Sequence, residues 1–234
     1  ENRVDDRTFR VDPAARGVLK QALIRAGYPA EDFAGYVKGE PLRFALRGTT
    51  ASGATFQVRD YQRQAAEAFY LAGSDRGGSG VVVLPCGAGK TIVGLAAMER
   101  VKETALVLTT SLTAVKQWRR ELLDKTTLGP EEIAEYTSEH KDSGPVTLTT
   151  YQMLTWRADR DGDFPHLEVF GARSWGLIIY DEVHLLPAPV FRATADLQAR
   201  RRLGLTATLV REDGREEDVF ALIGPKRFDV PWKD

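Results

Sequence analysis

Residues 81–95 read VVVLPCGAGKTIVGL. Within them Gly87, Gly89, Lys90 and Thr91 have the types and spacing that suit a phosphate group. Glycines let backbone N–H groups turn inward without a Cβ in the way. A helix that opens at Lys90 offers partial positive charge at its start. Lys90 can then reach β- and γ-phosphates, and the Thr91 hydroxyl can ligate Mg²⁺. The usual pattern, G-x-x-x-x-G-K-[ST], wants a first glycine at position 84, where Leu84 stands. That position falls at the end of an apolar strand, before the turn of amides, and Pro85 has no backbone donor to contribute. Losing the first glycine therefore need not disable the loop. Pro85, Cys86, Gly87, Ala88, Gly89, Lys90 and Thr91 form the expected nucleotide cradle. The alternative is a glycine-rich turn with an incidental Lys-Thr pair.

A second cluster lies about ninety residues on, in LIIYDEVH. Asp181 and Glu182 end an apolar strand, and two adjacent carboxylates are costly to half-bury without a partner. A Mg²⁺ ion supplies one. Asp181 would hold it through its water shell, and Glu182 would orient and polarise the attacking water. The competing reading is a carboxylate pair that caps the next helix. His184 is either an ordinary satisfied histidine or a coupling residue beside the metal site.

The intervening segments can position both clusters. Short apolar runs at 81–84, 105–109, 133–137, 145–150, 176–181 and 201–208 read as buried strands, with helical patterns between most of them. Helices are expected over 59–73, from Lys90, over 111–124 with Ser111 as cap, and over 188–198. Alternation of this kind gives an α/β fold with a mostly parallel sheet and helices on both faces, and ligands at the carboxyl ends of the strands. Before it, residues 1–9 are polar and expected to be ragged. A helix is predicted over 12–27, between the Asp12–Pro13 start and Gly27, and a hairpin around 43–58. The domain plan is an extension over 1–56, an α/β domain over 57–228 and the start of a linker from 229 to 234.

Bulk properties narrow the class. Hydrophobic residues are 43% and charged residues 28% of 234, ordinary for a soluble globular chain. With a net charge of −1, any nucleic-acid surface has to be a local patch. One cysteine excludes an internal disulfide and suits a reducing compartment, and one Cys with three His leaves no zinc pattern. No apolar run is long enough to span a bilayer. Glu1 stands where an initiator Met would, so the chain is expected to be cut from something longer.

PCGAGKT, DEVHLLPAPVFR, LGLTATLVRED and LIGPK together resemble the XPB family of superfamily-two DNA helicases. In that family PCGAGK is the loop's own variant, so Leu84 is the expected departure. The resemblance implies a RecA-like P-loop NTPase domain, ATP and Mg²⁺ as cofactors, and 3′→5′ movement on DNA. It makes RDYQ an adenine-recognition motif, with Arg59 and Gln62 on the base. TTSLTAVKQW would grip the DNA backbone through Ser111 and Thr113, although Ser111 is equally explained as a plain helix cap. TTYQML would supply Thr150 and Tyr151 as further backbone contacts. Trp118 either stacks on a base or belongs to the core. Thr206 and Thr208, in LTATL, would relay hydrolysis to DNA movement with Glu182 and His184. Arg211, Glu212 and Asp213 would act at the duplex junction, against a plain reading as a solvated loop.

Such enzymes continue past LIGPK into a second RecA-like domain that carries arginine fingers, so this chain is expected to bind nucleotide yet scarcely turn it over. Repair or transcription proteins are implied partners. The implied location is the cytoplasm, on the nucleoid, for a prokaryotic parent, which is favoured, and the nucleus for a eukaryotic one. Two rival readings stand beside this: the motor half of a restriction-type DNA translocase, and a DNA- or protein-binding platform whose ATP site is only a switch.

Overall fold

The computed structural model describes residues 2–5, 7–11, 19, 22–23, 38–74, 77–157, 165–186, 197, 199–208 and 216–230. Its centre is a sheet of seven strands: β3 (Ser79–Val83), β4 (Ala105–Thr109), β5 (Ile133–Tyr136), β6 (Val146–Thr150), β7 (Trp175–Asp181), β8 (Ala199–Thr206) and β9 (Lys226–Asp229). They pair in the order β5-β6-β4-β7-β8-β3-β9, and every pairing is parallel. Two short strands, β1 (Asn2–Arg3) and β2 (Phe9–Arg10), form a separate antiparallel ribbon where a ragged end was expected.

The apolar runs form central strands because both of their faces are covered. Alternate side chains enter two different cores. Val82, Leu84, Val107, Ile179 and Leu205 meet helices α1 (Asp60–Tyr70), α2 (Lys90–Val101) and α3 (Leu112–Lys125). Val81, Val83, Leu106, Leu108, Ile178 and Tyr180 meet α4 (Tyr151–Thr155), α5 (Pro165–Gly171) and α6 (Glu216–Ile223) on the other face. Each fully buried aliphatic side chain contributes roughly 1.5–3 kcal/mol, so the central strands dominate the stability of the fold. Leu84 is fully buried in the first core, and that explains the missing glycine: position 84 serves packing, not phosphate.

Register brings the motif-bearing strand ends to one edge. Val83 pairs with Thr206, Asp181 with Leu205, and Thr109 with Thr150. One strand, β8, separates β3 from β7. Adjacent strands lie ~4.8 Å apart, so a crevice roughly 10 Å wide opens between the loop after β3 and the end of β7.

Elsewhere the structure departs from expectation. β9 includes Asp229, which was assigned to the linker, and pairs with β3 at the sheet edge. The hairpin expected around 43–58 reduces to a turn closed by one bridge, Thr49 to Thr55. Its flanks pair with the body instead, Pro41 with Glu103 and Leu46 with Thr126, while Leu42 and Phe44 enter the first core. Helix α1 ends at Tyr70, short of Gly73, because Leu71 and Ala72 adopt left-handed backbone. Of the helix predicted over 12–27, Leu19, Ala22 and Leu23 are described, as helical. The helix over 188–198, apart from Leu197, and the segment Arg211–Asp213 lie outside the described residues. Among the described residues no helix is long and apolar enough to cross a membrane.

Candidate active site

The loop after β3 is held from below and from the side. The Leu84 N–H donates to Thr206 O at 2.9 Å, and the Ala88 N–H donates to Pro85 O at 3.1 Å. Gly87 and Gly89 have φ of 77° and 78°, a region that disfavours any residue with a Cβ. Gly89 also leaves room for its neighbour, since a Cβ there would lie 2.5 Å from Gln62 Nε2. Cys86 is exposed at the crown of the turn. Lys90 and Thr91 begin α2, both partly buried.

Across the crevice, Asp181 ends β7 and Glu182 follows with φ 51° and ψ 52°. Left-handed backbone is uncommon for glutamate, and strain of this kind gathers at functional sites. It turns the carboxylate to the loop: Glu182 Oε1 lies 3.0 Å from Lys90 Nζ, whose side chain is 12% exposed. Asp181 accepts a 2.8 Å hydrogen bond from Trp118 Nε1 at Oδ2, and its main-chain oxygen accepts one from the Tyr151 hydroxyl at 2.8 Å. Burial pushes the Asp181 carboxyl above its ordinary range, opposed by the Trp118 hydrogen bond and raised further by Glu182.

His184 closes the far side. Its Nδ1 is 2.8 Å from Thr206 Oγ1 and 3.5 Å from Glu182 Oε2. The Thr206 hydroxyl donates its one proton to Thr208 O at 2.5 Å. Thr208 returns its N–H to Thr206 Oγ1 at 3.2 Å. Glu182, His184, Thr206 and Thr208 are thus brought together as expected, although Thr208 joins the chain of contacts through its backbone.

Other expected residues sit differently. Gln62 is buried, with its Oε1 accepting from Arg59 N at 3.0 Å and its Nε2 donating to Ala88 O at 2.9 Å. It ties α1 to the loop instead of standing free to read a base. Tyr61 makes the same tie, donating to Ala88 O at 2.7 Å, and was not anticipated. Arg59 is exposed, its Nη1 3.3 Å from the Tyr61 hydroxyl. Ser111 caps α3, accepting from Ala114 N at 3.2 Å, and Thr113 beside it is exposed. Thr150 and Tyr151, expected on the DNA backbone, both face inward. Thr150 is buried and caps α4, accepting from Met153 N at 3.3 Å, and Tyr151 is 1% exposed with its hydroxyl committed to Asp181. Trp118 is likewise core, 1% exposed. Its tie to Asp181 could have been anticipated, because a buried indole N–H needs an acceptor.

The Asp181 carboxyl is mostly buried. Its folded pKa lies above the ordinary aspartate value, chiefly because of burial. The folded state therefore holds this proton more tightly than the unfolded chain, and stability from this group falls as pH rises above that value. Asp181→Asn cannot ionise and can still accept from Trp118. Its melting temperature should exceed that of the native chain at neutral pH, and the gap should shrink on acidification toward pH 3.8. A gap that is constant with pH, or of opposite sign, would show that Asp181 ionises there without penalty.

Parallel sheet, glycine-turned loop and facing carboxylates together define a RecA-like P-loop nucleotide-binding domain. A family model described as type III restriction enzyme, res subunit, matches residues 55–211. The chain belongs to that family, and within it is an XPB-type amino-terminal motor domain. It is 58% identical over 234 residues to "DNA 3'-5' helicase XPB" of Mycobacterium tuberculosis, covering 99% of this chain and 40% of that protein. To "General transcription and DNA repair factor IIH helicase/translocase subunit XPB" of Encephalitozoon cuniculi it is 37% identical over 226 residues, 93% of this chain and 32% of that protein. The UvsW helicase from bacteriophage T4 shares the fold, with a TM-score of 0.58 at 14% identity over 92% of this chain and 78% of that one. The chain thus spans about two-fifths of the first of these relatives.

Proposed function

We propose that this chain is the ATP-binding half of an XPB-type DNA motor that moves 3′→5′. The observation that carries the reading is the Lys90–Glu182 pair, 3.0 Å apart across the crevice. It brings the phosphate cation and the water-activating carboxylate to one point. Glu182 and an incoming phosphate would compete for Lys90.

Mg²⁺ fits the residues present. Asp181 is a mostly buried carboxylate facing a crevice, and no group of three or more His, Cys, Asp or Glu among the described residues could hold a metal alone. A hard cation bound by one carboxylate, the Thr91 hydroxyl, water and substrate phosphates matches that sparse set. Bound there, the ion would neutralise charge on the phosphates. Lys90 and the amides of residues 86–91 orient the γ-phosphate, Glu182 takes a proton from water, and His184 and Thr206 hold Glu182 in register with β8. Arg59 lies beside the place a base would occupy. Ser111 and Thr113 meet a DNA backbone, and Arg211, Glu212 and Asp213 act at the duplex junction.

A second RecA-like domain would complete the site with an arginine finger, and closure around ATP would ratchet the strand. The name of the Encephalitozoon cuniculi relative supports DNA repair and transcription as the setting, and the 58% identity to a bacterial relative favours a prokaryotic parent, with the protein in the cytoplasm on the nucleoid. The family model's title keeps a restriction-type translocase in view. The XPB relatives, matched over nearly the whole chain, favour the first reading. A test separates motor from switch. Alone, this chain should bind ATP, with turnover far below the ~1 s⁻¹ of a working phosphoryl-transfer enzyme, with or without DNA. Extended by the second motor domain, it should hydrolyse ATP and be stimulated by DNA. ATP binding without DNA-stimulated turnover in the extended protein would favour the switch.

A further inference from the structure

Besides the backbone N–H of Glu182, Asp181 is anchored by two side chains from other elements. Trp118 reaches its side chain from α3, and Tyr151 reaches its main chain from α4, each at 2.8 Å. Both helices open at the sheet edge where the loop lies, since Thr109 and Thr150 are paired strand ends. Gln152, exposed on α4, donates from Nε2 to Thr110 O at 3.1 Å and ties the two openings together. From Leu112, the first residue of α3, to Trp118 is six residues, about 9 Å of rigid helix.

The Trp118 ring cannot shift freely. It is 1% exposed, and it packs against α2 at Gly94, where any Cβ would collide with the indole. A displacement at the start of α3 therefore passes to the indole, and through its N–H to Asp181 Oδ2.

We infer that Trp118 and Tyr151 are positioning residues, which set the metal-holding carboxylate from the two elements at the DNA-facing edge. This rests on the ATP–Mg²⁺ and DNA reading proposed above. It gives a physical route by which a bound strand improves the nucleotide site, separate from the contacts of His184 and Thr206. Outer partners of metal ligands are typically worth about 10–100-fold in metal affinity.

The test measures ATP affinity of this chain by calorimetry, once in EDTA and once in Mg²⁺. The variants are Trp118→Phe, Tyr151→Phe and, for comparison, Trp175→Phe. Trp175 is also fully buried, and its Nε1 donates to Phe170 O at 2.7 Å, away from the site. Affinity in EDTA should stay within about twofold for all of them. The gain from Mg²⁺ should shrink ~10-fold in Trp118→Phe and less in Tyr151→Phe, and persist in Trp175→Phe. Should Trp118→Phe not fold, Tyr151→Phe carries the comparison. A second readout needs no nucleotide: a dT oligonucleotide should move the Trp118 indole ¹H–¹⁵N resonance and leave that of Trp175 in place. An unchanged Mg²⁺ gain in the variants overturns the inference alone, as does a Trp118 resonance that ignores the oligonucleotide. A native chain that binds no ATP in either buffer overturns the functional reading, and the inference with it.

Discussion

ATP should bind Lys90→Ala at least tenfold more weakly than it binds the native chain. Lys90 opens α2 between the glycine turn and Glu182, and it is the cation the structure places within 3.0 Å of the opposing carboxylate. Charge-assisted hydrogen bonds contribute about 1.5–3 kcal/mol each, and 1.4 kcal/mol is a factor of ten. Part of the gross gain is offset, because the lysine must leave Glu182 to meet phosphate. The substitution has a second effect in the same direction. Without Lys90, Glu182 faces the incoming phosphates uncompensated, and two like charges repel across a partly desolvated crevice. The Lys90 side chain is 12% exposed and that of Glu182 30%, so the pair is partly desolvated and the melting temperature is measured alongside the affinity. Calorimetry with ATP and Mg²⁺ decides the matter. An unchanged affinity alongside an unchanged melting temperature would mean that the loop does not cradle phosphate.

The parts of this molecule legible in its sequence are those where one physical signal dominates. The five central strands are buried on both faces, and the loop between Val83 and Lys90 has glycines where the backbone is left-handed. β9 escaped notice because KRFD is short and charged, as edge strands tend to be, so neither apolar content nor alternation marks it. The hairpin was read from turn residues around Gly53, but Leu42 and Phe44 gain more from the main core than from pairing with each other's neighbours. The protein partners of Gln62 and Tyr151 were hidden for a related reason. A polar side chain in a motif does not reveal whether it faces a ligand or a backbone carbonyl, and that choice depends on elements 26 and 30 residues away in sequence.

Glu182→Gln should separate binding from turnover more sharply than any other substitution. In the protein extended by the second motor domain, hydrolysis should fall by about 10²–10⁴, the range that a general base supplies. The amide keeps the size and hydrogen-bonding shape of the carboxylate but cannot take a proton from water. ATP affinity should move the opposite way. The native carboxylate holds Lys90 at 3.0 Å and competes with phosphate for it, and neutralising it frees the lysine and removes a negative charge from the crevice. His184 should stay in place through Thr206 Oγ1 at 2.8 Å, so its loss cannot account for the drop. The measurement is paired: steady-state hydrolysis with DNA, and the dissociation constant for ATP in Mg²⁺. Tighter ATP with turnover lost is the signature of a base that doubles as the lysine's resting partner. Turnover within threefold of native would remove Glu182 from the chemistry and leave the Lys90 pair as a structural bridge. Weaker ATP with turnover lost would instead indicate that the left-handed turn at residue 182 requires the carboxylate to hold its shape.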